Sequence, residues 1–277
     1  MKRNDIVKSA PYCAGNILIT GGAGNLGAAC ADHFARNGYR VFSLDIRERE
    51  NAPDGVVQLI ADVRDMAAVH AAVERIAGYT DTLNALISFA GVYAMDSFVE
   101  IDEAQLIRAL DINLMGCWRT VKCALPLLIS SGRIIIITSE LARQKPLPFN
   151  GIYSLTKCAL DHYADSLRLE LGLIGVPVIT VRPGAFGGDM AMESERAMQR
   201  MAEKTRLYRH NTRRFYAVMR SQTGTARPPE RLAKTIFRAF SARRPRPVYT
   251  PNPGLLLKLY SALPRRLQLF ALRLLLK

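Results

Sequence analysis

Residues 17–34, "ILITGGAGNLGAACADHF", pass from an apolar run through a glycine-rich turn straight into a helical pattern. Such a turn has a physical use. With no side chains in the way, the backbone can approach a pyrophosphate. The free N–H groups at the helix start and the positive end of the helix dipole then receive its negative charge. Taken alone, the turn says only that something phosphorylated could bind there. What surrounds it decides the rest.

Outward from this stretch, short apolar runs alternate with longer helical patterns. The runs are "NILIT" (16–20), "RVFSL" (40–44), "VVQLI" (56–60), "ALISF" (85–89), "RIIIIT" (133–138) and "VPVITV" (176–181). Each is short, mostly β-branched or aliphatic, and apolar at successive positions, as in a strand covered on both faces. Helix patterns such as "NLGAACADHFARNG" and "RDMAAVHAAVERIAG" lie between them, closed by Gly38 and Gly78. This alternation predicts an α/β fold, a Rossmann-type doubly wound and mainly parallel sheet with helices on both faces, in a single domain. The reading places an N-terminal extension at 1–15, the catalytic domain at 16–250 with a substrate-loop region at about 185–226, and a C-terminal helical tail at 251–277.

The 277 residues suit one α/β unit, and 49% hydrophobic content with no repeat excludes a disordered or fibrous chain. No signal peptide and no stretch long enough to span a bilayer is read, so a cytoplasmic protein is expected. Five cysteines, Cys13, Cys30, Cys117, Cys123 and Cys158, form no CxxC pair and read as small core fillers. No metal is expected. Charge is unevenly spread: residues 1–193 carry a net −3, whereas residues 194–277 hold 20 Lys/Arg against 3 Asp/Glu. That basic third points to a solvated face or to an anionic partner. The tail, "GLLLKLYSALPRRLQLFALRLLLK", is apolar with scattered cations and is broken by Pro264. Its halves are too short to cross a membrane, but could lie on one, cap a substrate pocket or pack on another subunit.

Asp45 closes the second strand 18 residues beyond Gly27. A carboxylate there accepts hydrogen bonds from adenosine ribose hydroxyls and repels a 2′-phosphate, favouring NAD(H). Arg47 and Arg49 nearby leave NADP(H) open. Further on, "YSLTK" sets Tyr153 and Lys157 four residues apart on one helix face. A cation beside a phenol favours its phenolate form, which makes an acid/base suited to an alcohol oxygen. Ser139 follows the strand "RIIIIT", 14 residues before Tyr153, so the two hydroxyls can converge at the carboxyl edge of the sheet. Asn113, polar among apolar neighbours, reads as a satisfied core amide or as a holder of water beside the lysine.

At this point the chain resembles the short-chain dehydrogenase/reductase family over nearly all of residues 14–250. The resemblance rests on "TGGAGNLG" (20–27), "DV" (62–63), "SFAG" (88–91), "NLMG" (113–116), Ser139, "YSLTK" and "RPGAF" (182–186), in the family's order. It implies a Ser139, Tyr153, Lys157 catalytic set completed by Asn113, with Tyr153 as acid/base and Lys157 lowering its pKa and binding nicotinamide ribose. It further implies cofactor contacts at Gly21, Gly24, Asn25, Leu26, Gly27, Asp45, Ile46, Asp62, Val63, Ala90, Gly91, Tyr153, Lys157, Pro183 and Gly184, with Asp62 at the adenine. Three departures stand out. Asn25 takes the middle glycine position; asparagine tolerates left-handed backbone, so the turn can still form, and whether Asn25 adopts that conformation is the point to inspect. Ser88 and Phe89 replace two amides that usually brace the sheet. Gly188 stands where a threonine usually holds the nicotinamide amide.

The region after Val181 resembles the hydroxysteroid and retinol dehydrogenase branch, which implies a large apolar secondary alcohol or ketone. The steroid, bile acid, retinoid and long-chain types all fit. Met190, Met192, Met198 and Met201 are candidates for an adaptable pocket wall, and the basic region for a counter-charge to an anionic substrate. A homodimer or homotetramer is expected, with peripheral membrane contact through the tail and no nucleic acid, since no aromatic platform interleaves the cations. The alternatives are an NADPH-dependent ketone reductase, a sugar-nucleotide enzyme, and a non-catalytic dinucleotide sensor.

Overall fold

The computed structural model describes residues 14–129, 132–220 and 226–277, without the side chains of 189–191. Cys13, most of the N-terminal extension and the Met190 side chain therefore lie outside the described residues. The strands are β1 (Gly15–Thr20), β2 (Tyr39–Asp45), β3 (Val56–Ile60), β4 (Ala85–Ser88), β5 (Arg133–Ile137), β6 (Val178–Val181) and β7 (Val248–Tyr249). They form one sheet in the order β3-β2-β1-β4-β5-β6-β7, and every pairing is parallel. The order reverses between β1 and β4, so the segments following these two strands flank the crevice where such sheets take ligands.

The period-2 geometry of a strand explains why the runs are apolar throughout. Leu18, Phe42, Leu44, Leu86, Ile134 and Ile136 face one side, where α2 (Met66–Ala77), α4 (Gly116–Leu128) and α5 (Gly151–Gly172) pack. Ile17, Ile19, Val41, Ile87, Ile135 and Ile137 face the other, against α1 (Asn25–Arg36) and α8 (Pro229–Ser241). Phe34 of α1 makes edge contacts with Phe237 and Phe240 of α8, at 5.2 and 5.1 Å between ring centroids.

The long helical stretch before β5 is less regular than its pattern suggests. α3 (Glu103–Leu110) runs into a π-helical turn, Asp111–Met115, and then into α4. One wider turn of this kind shifts the side-chain register, and such turns recur at functional sites. Beyond β6, the expected substrate-loop region holds α6 (Asp189–Lys204) and α7 (Arg209–Arg220). The tail forms α9 (Leu255–Ala262) and α10 (Arg265–Leu276), parted at Pro264. A third apolar cluster joins these pieces: Met95, Met198, Met201 and Phe215 pack with Leu276, beside Tyr93, Leu147, Phe149 and Leu272. Cys30 and Cys117 are buried as expected of fillers. Cys158 is exposed, because it follows Lys157 onto the outer side of α5.

Candidate active site

The glycine turn is shaped by close approach. Gly21 has φ +70°, and a Cβ there would lie 2.8 Å from the Ala90 backbone nitrogen. A Cβ on Gly27 would run into the Gly21 carbonyl, so α1 meets the turn only because that side chain is missing. Asn25 does not adopt left-handed backbone. It is the first residue of α1, and the positive φ in the turn belongs to Gly21, so no left-handed residue is needed at 25. Its side chain instead fills the space against Gly188, where a Cβ would lie 2.7 Å from Asn25 Cβ. Two departures from the family pattern are thus one complementary pair: the amide at 25 occupies volume that a threonine at 188 would need.

Asp45, at the end of β2, accepts the Ala23 N–H of this turn at 3.0 Å. Arg49 is committed elsewhere, as a two-pronged pair with Asp32 at 2.6 and 2.8 Å. Asp62 likewise has a partner. Arg64 donates to it from Nε and Nη2, which holds its carboxyl below the ordinary range. The amides missing from "SFAG" are partly replaced: Thr20 Oγ1 sits 3.5 Å from Ser88 Oγ and accepts the Ala90 N–H. Phe89 joins the core on the α1 side.

Ser139, Tyr153 and Lys157 meet beyond the carboxyl end of β5, all three nearly buried. Ser139 caps a short 3-10 turn, Glu140–Ala142, accepting the Leu141 N–H at 3.2 Å, and is hydrogen-bonded to the Tyr153 phenol. Lys157 Nζ donates to the Ile137 carbonyl at 3.1 Å and lies 5.8 Å from the Tyr153 ring centre. Burial lowers its pKa to about 8. The expected effect of the lysine on the tyrosine is not the dominant one in this arrangement. Burial, with the neighbouring Tyr93, pushes the Tyr153 phenol above its ordinary value, and the Ser139 hydrogen bond pulls only weakly the other way.

Asn113 sits on the π-helical turn and is fully buried. Its Oδ1 accepts the Val92 N–H at 2.7 Å, and its Nδ2 donates to Val92 O and Thr156 Oγ1. Both amide donors are used within the protein. The amide is satisfied within the protein, and Asn113 braces the segment after β4 against α5. Its Oδ1 also lies close to Gly91, where a Cβ would come within 3.2 Å.

A cleft of about 2060 Å³ runs along this edge, lined by all of the expected cofactor contacts and by Ser139, but not by Asn113. At its far end stand Met198, Met201, Phe215, Leu272 and Leu276 of the third cluster. Met192 also lines the cleft but is half exposed rather than packed into a wall. Two of the cations at the cleft are paired, Arg200 with Glu193 and Lys204 with Asp102.

Several residues here were not singled out from the sequence. The Tyr93 ring lies tilted against that of Tyr153, with ring centres 4.8 Å apart, and its hydroxyl donates to Asn150 Oδ1 at 3.1 Å. Phe149, just before, holds a positive φ of 64° and packs on Tyr208 and Phe215. Asp161, one turn beyond Lys157, is buried and receives Thr138, Arg143 and Arg182. It ties α5 to the ends of β5 and β6. The i, i+4 step from Lys157 was the available clue to it. Glu140 accepts the Gly254 N–H at 2.6 Å, which clasps the start of the tail to the catalytic edge.

Fold and site together define a doubly wound α/β oxidoreductase. The comparisons agree: the short chain dehydrogenase family model matches residues 15–199, and the chain belongs to that family. Oxidoreductase UcpA of Escherichia coli (strain K12) is 33% identical over 184 residues, covering 63% of this chain and 70% of that protein. The 3-ketodihydrosphingosine reductase of Bacteroides thetaiotaomicron is 26% identical over 263 residues, 93% of this chain and 96% of that one. Among solved structures, a Burkholderia cenocepacia short chain dehydrogenase in complex with NADP superposes with a TM-score of 0.70 at 20% identity. It covers 94% of this chain and 97% of that one.

Proposed function

We propose that this chain is an NAD(H)-dependent oxidoreductase of hydrophobic secondary alcohols or their ketones, with Tyr153 as general acid/base. The observation that carries this reading is the meeting of Ser139, Tyr153 and Lys157 where the glycine-lined part of the cleft joins its apolar end. The cradle fits a dinucleotide: Gly21 and Gly27 leave a surface on which a Cβ has no room, at the start of a helix. Asp45 stands where ribose hydroxyls would be received, and Arg49 is held by Asp32, which favours NAD(H) over NADP(H). The bound nicotinamide would supply or accept the hydride.

The protein's own groups handle the oxygen and its proton. Ser139 is held by the Leu141 amide and by Tyr153, and so offers a fixed hydroxyl to a carbonyl or carbinol oxygen. A phenol whose pKa is raised by burial keeps its proton until a more basic oxygen develops beside it, as when a ketone is reduced. Lys157 is anchored by Ile137 O, which places an ammonium behind the phenol and near the floor at Gly91. Met198, Met201, Phe215 and Leu276 ask for an apolar body on the substrate. The reductase relative named above acts, by its name, on 3-ketodihydrosphingosine, a ketone, which supports reduction of a ketone here.

The test is an absorbance screen of NAD(H) and NADP(H) against steroids, bile acids, retinol and long-chain alcohols and ketones, with Tyr153→Phe alongside. Turnover of at least one apolar substrate is expected, falling at least about a hundredfold in the variant. No turnover with any substrate, or unchanged turnover in Tyr153→Phe, would sink the assignment.

A further inference from the structure

The tail has two faces of unlike surroundings. On its inner side Gln268 is buried and donates to the carbonyls of Tyr260 and Leu263, locking the corner between α9 and α10. Leu276 enters the third apolar cluster, and Asn211 Nδ2 donates to its carbonyl at 2.7 Å. The orientation of α10 is therefore set by the protein. On the opposite side Leu267, Phe270 and Leu274, at i, i+3 and i+7, are 51%, 65% and 70% exposed. On α9, Leu255, Leu256 and Leu259 stand out equally far. So much aliphatic surface on two adjoining helices is more than scattered exposed leucines explain.

Charge says what covers it. Five cations, Lys258, Arg265, Arg266, Arg273 and Lys277, flank these residues, and no Asp or Glu follows Glu230 anywhere in the sequence. A second copy of this face would bring the like charges of two tails together with no acid within either tail to offset them, and nucleic acid gives the leucines nothing to bury against. An anionic lipid surface satisfies both: headgroups meet the cations while the leucines enter the acyl boundary. Neither helix can do more than lie on it, since among the described residues no helix is long and apolar enough to cross. The rim adds an independent observation. Leu255, Leu256 and Leu275 are more than half exposed and also line the catalytic cleft, so the cleft opens at this same face.

We propose that α9 and α10 seat the protein on an anionic membrane surface, with the cleft mouth turned toward the lipid so that an apolar substrate enters from the bilayer. The second part rests on the function proposed above; the first does not.

Vesicle co-sedimentation tests it with the full chain and no substrate or cofactor. The vesicles are phosphatidylcholine alone, or phosphatidylcholine mixed equally with phosphatidylglycerol. Binding to the anionic vesicles is expected, weakened by salt and at least about tenfold weaker to the neutral ones. Phe270→Glu with Leu274→Glu, both off the cleft lining, is expected to cut binding about a hundredfold or more. Arg266→Glu with Arg273→Glu is expected to abolish the preference for anionic lipid. Unchanged melting temperatures would show that these variants fold. Binding to neither vesicle overturns the proposal, as does equal binding to both. So does a dimer in light scattering that Phe270→Glu with Leu274→Glu dissolves while vesicle binding is untouched. Failure of every alcohol to turn over would leave the vesicle result standing.

Discussion

Replacing Asp45 by alanine separates two things its carboxylate does. It receives the Ala23 N–H at 3.0 Å, and it sets a negative charge beside the glycine turn. Orphaning the amide costs about 1–3 kcal/mol, whichever cofactor binds, and so cancels from a comparison of the two. What remains differs in sign. Charged hydrogen bonds to ribose hydroxyls are worth about 1.5–3 kcal/mol, and NAD would lose them. A 2′-phosphate at ~5 Å from the carboxylate is opposed by about 3 kcal/mol per unit charge at an effective dielectric of ~20, and NADP would be relieved of that. Asp45 is partly exposed, so solvent cuts both terms. The expected swing in the NADH to NADPH affinity ratio is about 100- to 1000-fold, or about 3–4 kcal/mol. Fluorescence titration of each reduced cofactor into both proteins measures it directly. If the two affinities fall together and the ratio stays put, Asp45 merely holds the turn and does not select between the two cofactors.

Gly188→Thr is expected to cost about 1–3 kcal/mol by forcing a branched residue into φ +121° and against Asn25. Adding Asn25→Gly removes the clash and returns part of the loss, and strictly additive effects in the melting cycle would refute the pairing. Lys157→Met probes the buried ammonium through its pH dependence. The lysine loses its proton near pH 8 when folded and near 10.5 when unfolded. Between those values the unfolded chain binds the extra proton, so wild-type stability rises with pH. Measured against the variant, the gain is up to about 3 kcal/mol. A flat difference in denaturant midpoints from pH 7 to 10.5 would show that burial does not perturb Lys157.

Much of this was legible along the chain, because short apolar runs covered on both faces and helices between them leave a periodic record. All six runs quoted from the sequence became strands to within two residues of their ends. That Ser139, Tyr153 and Lys157 come together was legible because it depends on fixed spacing from a strand end and along one helix. The role of Asn25 was left open by the sequence for a reason that spacing hides. A glycine is often needed for room rather than for its φ, and the residue that presses on position 25 is Gly188, far away in sequence. Tyr93 and Glu140 were invisible for the same reason, since the partners that give them meaning, Tyr153 and Gly254, come from other segments.

The sequence by itself determined the element order, the parallel doubly wound sheet and the residues gathered at its carboxyl edge, since these follow from periodicity and from what strands and helices do locally. Only the tertiary structure decided the protonation balance at Tyr153 and Lys157, the bracing role of Asn113, and the split of the tail into a face that closes the cleft and a face left bare. Desolvation, pairing and exposure depend on which distant residues arrive beside a group, and linear spacing does not carry that information.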